Sequence, residues 1–183
     1  MMQGHRHDLD GDLLMRVIPL TVTALAAALL LTACDGGGGV SGGSSACRIG
    51  GVSVQIGSAS VAPAAGDTGE VPVSLTNQST PCTLDGFPGV TLEAGGVAHE
   101  VPVLKGAKAQ KLKLAKGDSA SFTIGYVRGE AGDKSHLAAK SVKIKLPGSA
   151  TTRSFPWSYG PVALSSTGDA PNASVSAFQR VGD

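Results

Sequence analysis

The segment Ser119-Ala120-Ser121-Phe122-Thr123-Ile124-Gly125-Tyr126-Val127 sets Phe122, Ile124 and Tyr126 at every second position against Ser121, Thr123 and Gly125. Successive side chains of an extended strand point to opposite faces, so a period of two reads as a half-buried β-strand. The same period recurs on both sides. Upstream, Val52-Ser53-Val54-Gln55-Ile56 alternates, and Glu70 to Thr76 puts Val71, Val73 and Leu75 on one face. Val90-Thr91-Leu92 runs into Glu93-Ala94-Gly95-Gly96, a hairpin turn, and Val97 to Leu104 returns from it. Gln110 to Leu114 turns Leu112 and Leu114 inward. Downstream, Val142, Ile144 and Leu146 face in while Lys143 and Lys145 face out, and Thr151 to Trp157 and Ala173 to Phe178 follow.

This makes about nine short, mostly antiparallel strands with turn residues between them, the pattern of an all-β sandwich. Ser58 to Gly69, with Pro63 and Gly66, reads as a loop, and Gly129 to Lys140 is the one interval long enough for a helical turn. Pro72, Pro102 and Pro156 fall within strands. Proline cannot donate to a ladder, so edges or bulges are expected there. Trp157 and Tyr159 are expected to anchor the core.

The bulk numbers fit a thin core. The 183 residues include 26 Gly but only four Phe, two Tyr and one Trp. Fifteen basic and fourteen acidic residues leave a formal charge of +1. No global field favours nucleic acid or another polyelectrolyte as partner.

The first part of the chain reads as an address. Val17 to Thr32 is an apolar run, shorter than the roughly 20 residues a spanning helix needs and suited to a signal-peptide core. It ends in Leu31-Thr32-Ala33-Cys34, which resembles a bacterial lipobox. The resemblance implies cleavage before Cys34 and acylation of its thiol, leaving the protein lipid-anchored on the extracytoplasmic face of the membrane. Met1 to Leu14 carries three Asp and two His where a signal should be short and basic, so Met15 is read as the true start. Asp8-Leu9-Asp10-Gly11-Asp12 imitates the opening of a calcium loop, but Leu13 stands where that loop needs glycine, and no metal is assigned.

After Cys34 comes Asp35 to Ser45, a Gly/Ser tether with a mean reach of about 20 Å. Gly37, Gly39 and Gly42 match the spacing G-x-G-x-x-G, but no strand precedes them and no helix follows, so no dinucleotide is implied. The expected organisation is therefore a signal segment over 1–33, a lipidated cysteine and linker over 34–46, and a sandwich over 47–183.

With Cys34 taken by the lipobox, Cys47 and Cys82 remain as an even pair in an exported chain, and a disulfide is expected. A metal site would need two more ligands, and His99 and His136 are isolated in sequence.

Cys47, the strand ending in Leu75-Thr76-Asn77, then Pro81-Cys82-Thr83-Leu84 and Gly86-Phe87-Pro88-Gly89-Val90 together resemble the actinobacterial domain-of-unknown-function 4232 family. Leu114 to Ser119 and the alternating strand after it extend the resemblance to roughly Cys47–Val181. It implies an exported, often lipid-anchored, Ig-like β-sandwich with no established activity. Family members commonly carry a second cysteine pair in the C-terminal half. This chain has none, so Gly129 to Tyr159 is expected to be looser or differently packed. In the signature stretch, Asn77 to Pro81 supplies turn formers, Pro88-Gly89 makes a second corner, and Phe87 is expected to plug the end of the sandwich. Asn77-Gln78-Ser79 and Asn172-Ala173-Ser174 match a glycosylation acceptor by chance.

Catalytic motifs are scarce. Neither S-x-x-K nor H-E-x-x-H occurs, and no Gly-Lys pair exists from which to build a phosphate-binding loop. His99 and Glu100 are neighbours on a strand and point to opposite faces. His136 lies near Asp133 and Lys134. Asp67, Asp85, Glu93 and Asp118 are placed at turns, serving local hydrogen bonds. No cofactor is implied.

Lys105, Lys108, Lys111, Lys113 and Lys116 follow one another with no acid between Glu100 and Asp118. Alternation puts Lys111 and Lys113, and likewise Lys143 and Lys145, on outward faces. If those strands share a sheet, the four make a basic stripe for anionic headgroups or envelope polymer. Otherwise such lysines keep strand edges soluble. Three functions stand open at this stage: a non-catalytic binding or scaffolding module at the cell surface, an accessory subunit of another membrane protein, and an extracellular hydrolase. An exposed basic or apolar patch marks the first, co-purification from membranes the second, and convergent titratable groups in a cleft the third.

Overall fold

Fourteen strands form from this pattern in the computed structural model, which describes residues 45–132, 134–168 and 170–182. In chain order they are β1 (Ser45–Ala46), β2 (Val52–Ile56), β3 (Thr68–Asn77), β4 (Cys82–Gly86), β5 (Gly89–Ala94), β6 (Val97–Val101) and β7 (Gln110–Leu114). Then come β8 (Ser119–Val127), β9 (His136–Leu137), β10 (Ser141–Lys145), β11 (Thr152–Pro156), β12 (Val162–Ala163), β13 (Ala173–Val175) and β14 (Gln179–Arg180). Nine of them have five residues or more. The signal-like segment, Cys34 and the tether as far as Ser44 lie outside the described residues, as does Asp133.

One layer is the sheet β13-β8-β3-β2, with β14 continuing along β8. Its inner face follows the alternation: Val71 lies opposite Ile124, Val73 opposite Phe122 and Leu75 opposite Ala120, all fully or nearly buried. The other layer is β11-β10-β5-β6, with Val90 opposite Ile144 and Leu92 opposite Val142. The orders β2-β3-β8 and β6-β5-β10-β11 reproduce the A-B-E and C′-C-F-G layers of Ig-like sandwiches. Gly95 and Gly96, both at positive φ, turn β5 into β6 in the two-residue hairpin the sequence requires. In a smaller sheet, β1-β4-β7, β1 runs parallel to β4 and β7 touches β14 of the first layer. The inward side chains of all these sheets join one hydrophobic core.

Several expectations need correction. Cys82–Gly86, left without a strand between the two expected turns, is strand β4, paired along its whole length with β7. Cys82, Thr83 and Leu84 are all buried, so this strand shows no alternation to betray it. The Ala173 to Phe178 run is broken instead: β13 ends at Val175 and β14 begins at Gln179. Between them Ser176 Oγ accepts the Thr123 N–H at 2.9 Å, standing in for a ladder carbonyl. Gly129 to Lys140 holds turns and β9 rather than a helical turn; the one helical element among the described residues is a 3-10 turn at Ile49–Gly51.

Pro72 sits in β3, an inner strand. Its carbonyl accepts the Gly57 N–H at 2.9 Å, so its missing donor also faces β2, one residue past that strand's end. Thr123, opposite it on β8, directs its own N–H and C=O to Ser176 on the far side. The β3–β8 ladder loses no bond, and the bond proline cannot make falls at Gly57, beyond the end of β2, so proline is tolerated there. Pro102, just beyond β6, and Pro156, in β11, do lie at sheet margins.

The region without a second cysteine pair is packed by aromatic rings. Trp157 is buried and meets Tyr126 and Tyr159 edge-on at centroid distances of 5.3 and 4.9 Å. Its Nε1–H donates to Gly160 O, and along β10 and just after it Val142, Ile144 and Leu146 are fully buried. Of the two expectations for this stretch, its described residues show the different packing. At the other corner Pro88 is buried and Phe87 only half-buried outside the core, so Phe87 does not plug the sandwich.

Candidate functional site

Cys47 and Cys82 are joined by a disulfide across 35 residues, where β1 gives way to the sandwich. Both are buried, and Cys47 N–H donates to Thr83 O at 3.0 Å, extending the β1–β4 pairing. Closing a loop of this length stabilises the fold by about 4 kcal/mol on the chain-entropy account.

Beside the cystine, Asn77 ends β3 with no exposed surface. Its Nδ2 donates toward Thr80 O, Leu114 O and Ala115 O at 3.0, 3.1 and 3.2 Å. Its Oδ1 accepts from Ser79 N and Ser79 Oγ. One amide therefore ties the 77–81 turn to the turn after β7. The Asn77 acceptor motif has no free amide to modify. An open groove of about 850 Å³ adjoins this corner, lined by Ser45, Arg48, Ser79, Thr80, Ser149 and Thr151 among others. Its walls are mixed: small hydroxyls, glycine backbone and one guanidinium alternate with Ala46, Ile49, Ala150 and the cystine.

The four lysines of the expected stripe do not share a sheet. Lys111 and Lys113 are on β7 in the smaller sheet, while Lys143 and Lys145 are on β10 in the second layer. Lys111 pairs with Asp85 at 3.0 Å, both side chains being over 60% exposed (63% and 62%), and a pair so solvated contributes little. Lys143 pairs with Glu93 at 2.6 Å. Hydrogen bonds from Lys143 and then Ser141 hold the Glu93 carboxyl below its usual range. Asp85 and Glu93 are thus strand residues facing lysines, not turn residues. Asp67 and Asp118 do serve turns, accepting the N–H of Ala64 and Ala115. The Ala115 N–H, with Arg180 second, holds Asp118 below the usual carboxylate range.

The histidines stay apart. His99 lies opposite buried Leu92 on β6, and Glu100 opposite Thr91. His136 lies opposite Ala163 on β9, and its buried Nδ1 has no hydrogen-bond partner among the described residues. Among those residues no three of His, Cys, Asp and Glu gather as a cation site.

Two structural roles had no signal in the sequence. Asn77 resembles any turn asparagine until its three carbonyl partners are known. Arg180, near the C-terminus, reaches Asp118 at 3.0 Å and donates to Lys113 O, joining β14 to β7.

The geometry defines an all-β sandwich closed at its N-terminal corner by a cystine. The chain belongs to the family described as Domain of unknown function (DUF4232), which matches residues 47–179. No curated protein and no solved structure matches the chain.

Proposed function

We propose that the protein is a membrane-anchored extracytoplasmic lipoprotein whose sandwich is a non-catalytic binding or scaffolding module at the cell surface. The cystine carries this reading. Structural disulfides form and persist in oxidising compartments and are rare in the cytosol. Here one closes the domain at Cys47, directly behind a Gly/Ser tether and the sequence Leu31-Thr32-Ala33-Cys34. A single acyl chain holds a protein to a membrane only weakly, so an anchor of this kind is firm when a second chain or a basic surface adds to it.

The test is the intact mass of the protein recovered from membranes. Loss of everything before Cys34 together with an added acyl mass is expected, and Cys34→Ala should abolish both. A mature N-terminus elsewhere, or an unmodified Cys34 thiol, overturns the reading.

A further inference from the structure

The described residues expose five large apolar side chains: Val61, Val97, Val103, Leu104 and Val181. Three of them lie along the sandwich edge that β13 and β14 form beside β7, Val103 and Leu104 at its β13 end and Val181 at its β14 end. Val103 and Leu104 open the connection into β7, and Val181 follows directly on β14. They are not presented by a slack loop. Leu104 N–H donates to Val175 O at 2.8 Å, and Val175 N–H to Pro102 O at 2.9 Å, so the connection is stitched to β13. A turn closed by Ala107 N–H to Leu104 O, with Gly106 at φ 84°, then aims Lys105 and Lys108 outward. At the other end, Val181 N–H donates to Ser119 O. Apolar side chains held rigidly in solvent are unlike the single exposed residues that need no explanation.

The same edge concentrates positive charge. Lys105, Lys108, Lys111, Lys113 and Lys116 are all exposed along β7 and its flanking turns. The two carboxylates among them, Asp85 and Asp118, are already engaged by Lys111 and Arg180. Apolar side chains at the two ends of a lysine row are the chemistry of an interfacial contact: the apolar groups enter the headgroup boundary and the ammonium groups meet anionic lipid.

The attachment geometry selects the membrane as the surface. The described chain begins on β1, which pairs with β4, and β4 pairs with β7. Ser45 lies opposite Cys82 and Cys82 opposite Leu114, so the tether leaves two strand spacings, about 10 Å, from the lysine strand. A tether with a mean reach of about 20 Å lets this edge lie against the bilayer that holds it.

We infer that the β7–β14 edge, with Val103, Leu104 and Val181 among Lys105, Lys108, Lys111, Lys113 and Lys116, is a docking face for an anionic bilayer surface. This rests on the reading that Cys34 anchors the chain, and it supplies the basic and apolar second signal such an anchor needs.

The test takes the lipidated protein from membranes and reconstitutes it in vesicles of phosphatidylcholine, with or without phosphatidylglycerol. An amine-acylating reagent is applied and each lysine read by peptide mass spectrometry, with Lys134, Lys140 and Lys145 as controls. In the anionic vesicles the five edge lysines should label roughly fivefold more slowly than in the neutral ones, the controls being unchanged. High salt should restore labelling, and Leu104→Ser should weaken the protection. Equal labelling of edge and control lysines in protein that floats with both vesicles overturns the docking face while leaving the anchor intact. Protein that fails to float with neutral vesicles overturns the anchor instead. Protection by soluble polyphosphate that vesicles do not reproduce overturns the bilayer in favour of an anionic polymer.

Discussion

The ring of Tyr126 lies across Gly69, its register partner on β3, so closely that a Cβ built on the glycine would fall 2.5 Å from Cε1. Only a glycine leaves the ring room to sit flat on the strand. The phenol then reaches Tyr159 O at 2.8 Å and accepts the Ala62 N–H at 3.4 Å, while Trp157 packs edge-on against the same ring. The glycine, the two tyrosines and the tryptophan act as one unit at this end of the sandwich.

Gly69→Ala should therefore destabilise the fold by about 1–3 kcal/mol through overpacking. Tyr126→Phe keeps the ring and removes the hydroxyl, and should cost about 1 kcal/mol. Urea midpoints of the two variants check both figures. An unchanged midpoint for Gly69→Ala would mean that the ring can slide aside freely.

Reduction of the Cys47–Cys82 bond, or the double substitution Cys47→Ser with Cys82→Ser, should lower stability by about 4 kcal/mol. Guanidinium unfolding with and without a reductant measures it. A loss under about 1 kcal/mol would show that β1 and β4 are held chiefly by their ladder bonds rather than by the cross-link.

Asn77→Ala leaves Thr80 O, Leu114 O and Ala115 O without their shared donor and the Ser79 N–H without its acceptor. A loss of about 2–4 kcal/mol is expected, since buried unpaired groups carry their full desolvation penalty. Hydrogen exchange should rise in both connected turns, 77–81 and 115–118. Faster exchange in one turn alone would argue against a shared hub.

The pH dependence follows from Asp118 and Glu93. Both are held below the usual carboxylate range in the folded protein, Asp118 by the Ala115 N–H and Arg180, Glu93 by Lys143 and Ser141. A depressed folded value means that the contribution is complete above the unfolded value and disappears as pH falls through the folded one. The thermal midpoint should thus decline below about pH 4. Asp118→Asn keeps an oxygen for the Ala115 N–H but loses the charge, so its acid limb should be shallower than that of the parent. Superimposable acid limbs would remove Asp118 from the account.

Much of the fold is legible in the sequence because it depends on one face being wet. β2, β3, β8 and β10 each alternate between buried and half-exposed positions, and period two finds them with small errors at their ends. β4 is illegible for the opposite reason: three successive residues, Cys82, Thr83 and Leu84, are buried, which removes the alternation. Periodicity also assigns a side chain to a face but not a strand to a sheet. Lys113 and Lys145 both point outward, as their spacing requires, yet they belong to different sheets. Nor does sequence reveal that Val103 and Leu104, written into a strand by the Val97 to Leu104 run, leave β6 at Val101 and stand exposed. The backbone bonds that hold them come from Val175, more than seventy positions away.

The cystine also decides where a pull is felt. Tension drawn on the chain ahead of Ser45 loads the β1–β4 bonds lengthwise and then crosses the sulfur bridge into β4, a strand flanked on both sides. The loop between Cys47 and Cys82, which contains β2 and β3, is bypassed. Stretching therefore shears the β1–β4 seam instead of unzipping the outer strand β2. As long as the bridge is oxidised, the sandwich resists extension as a mechanical clamp.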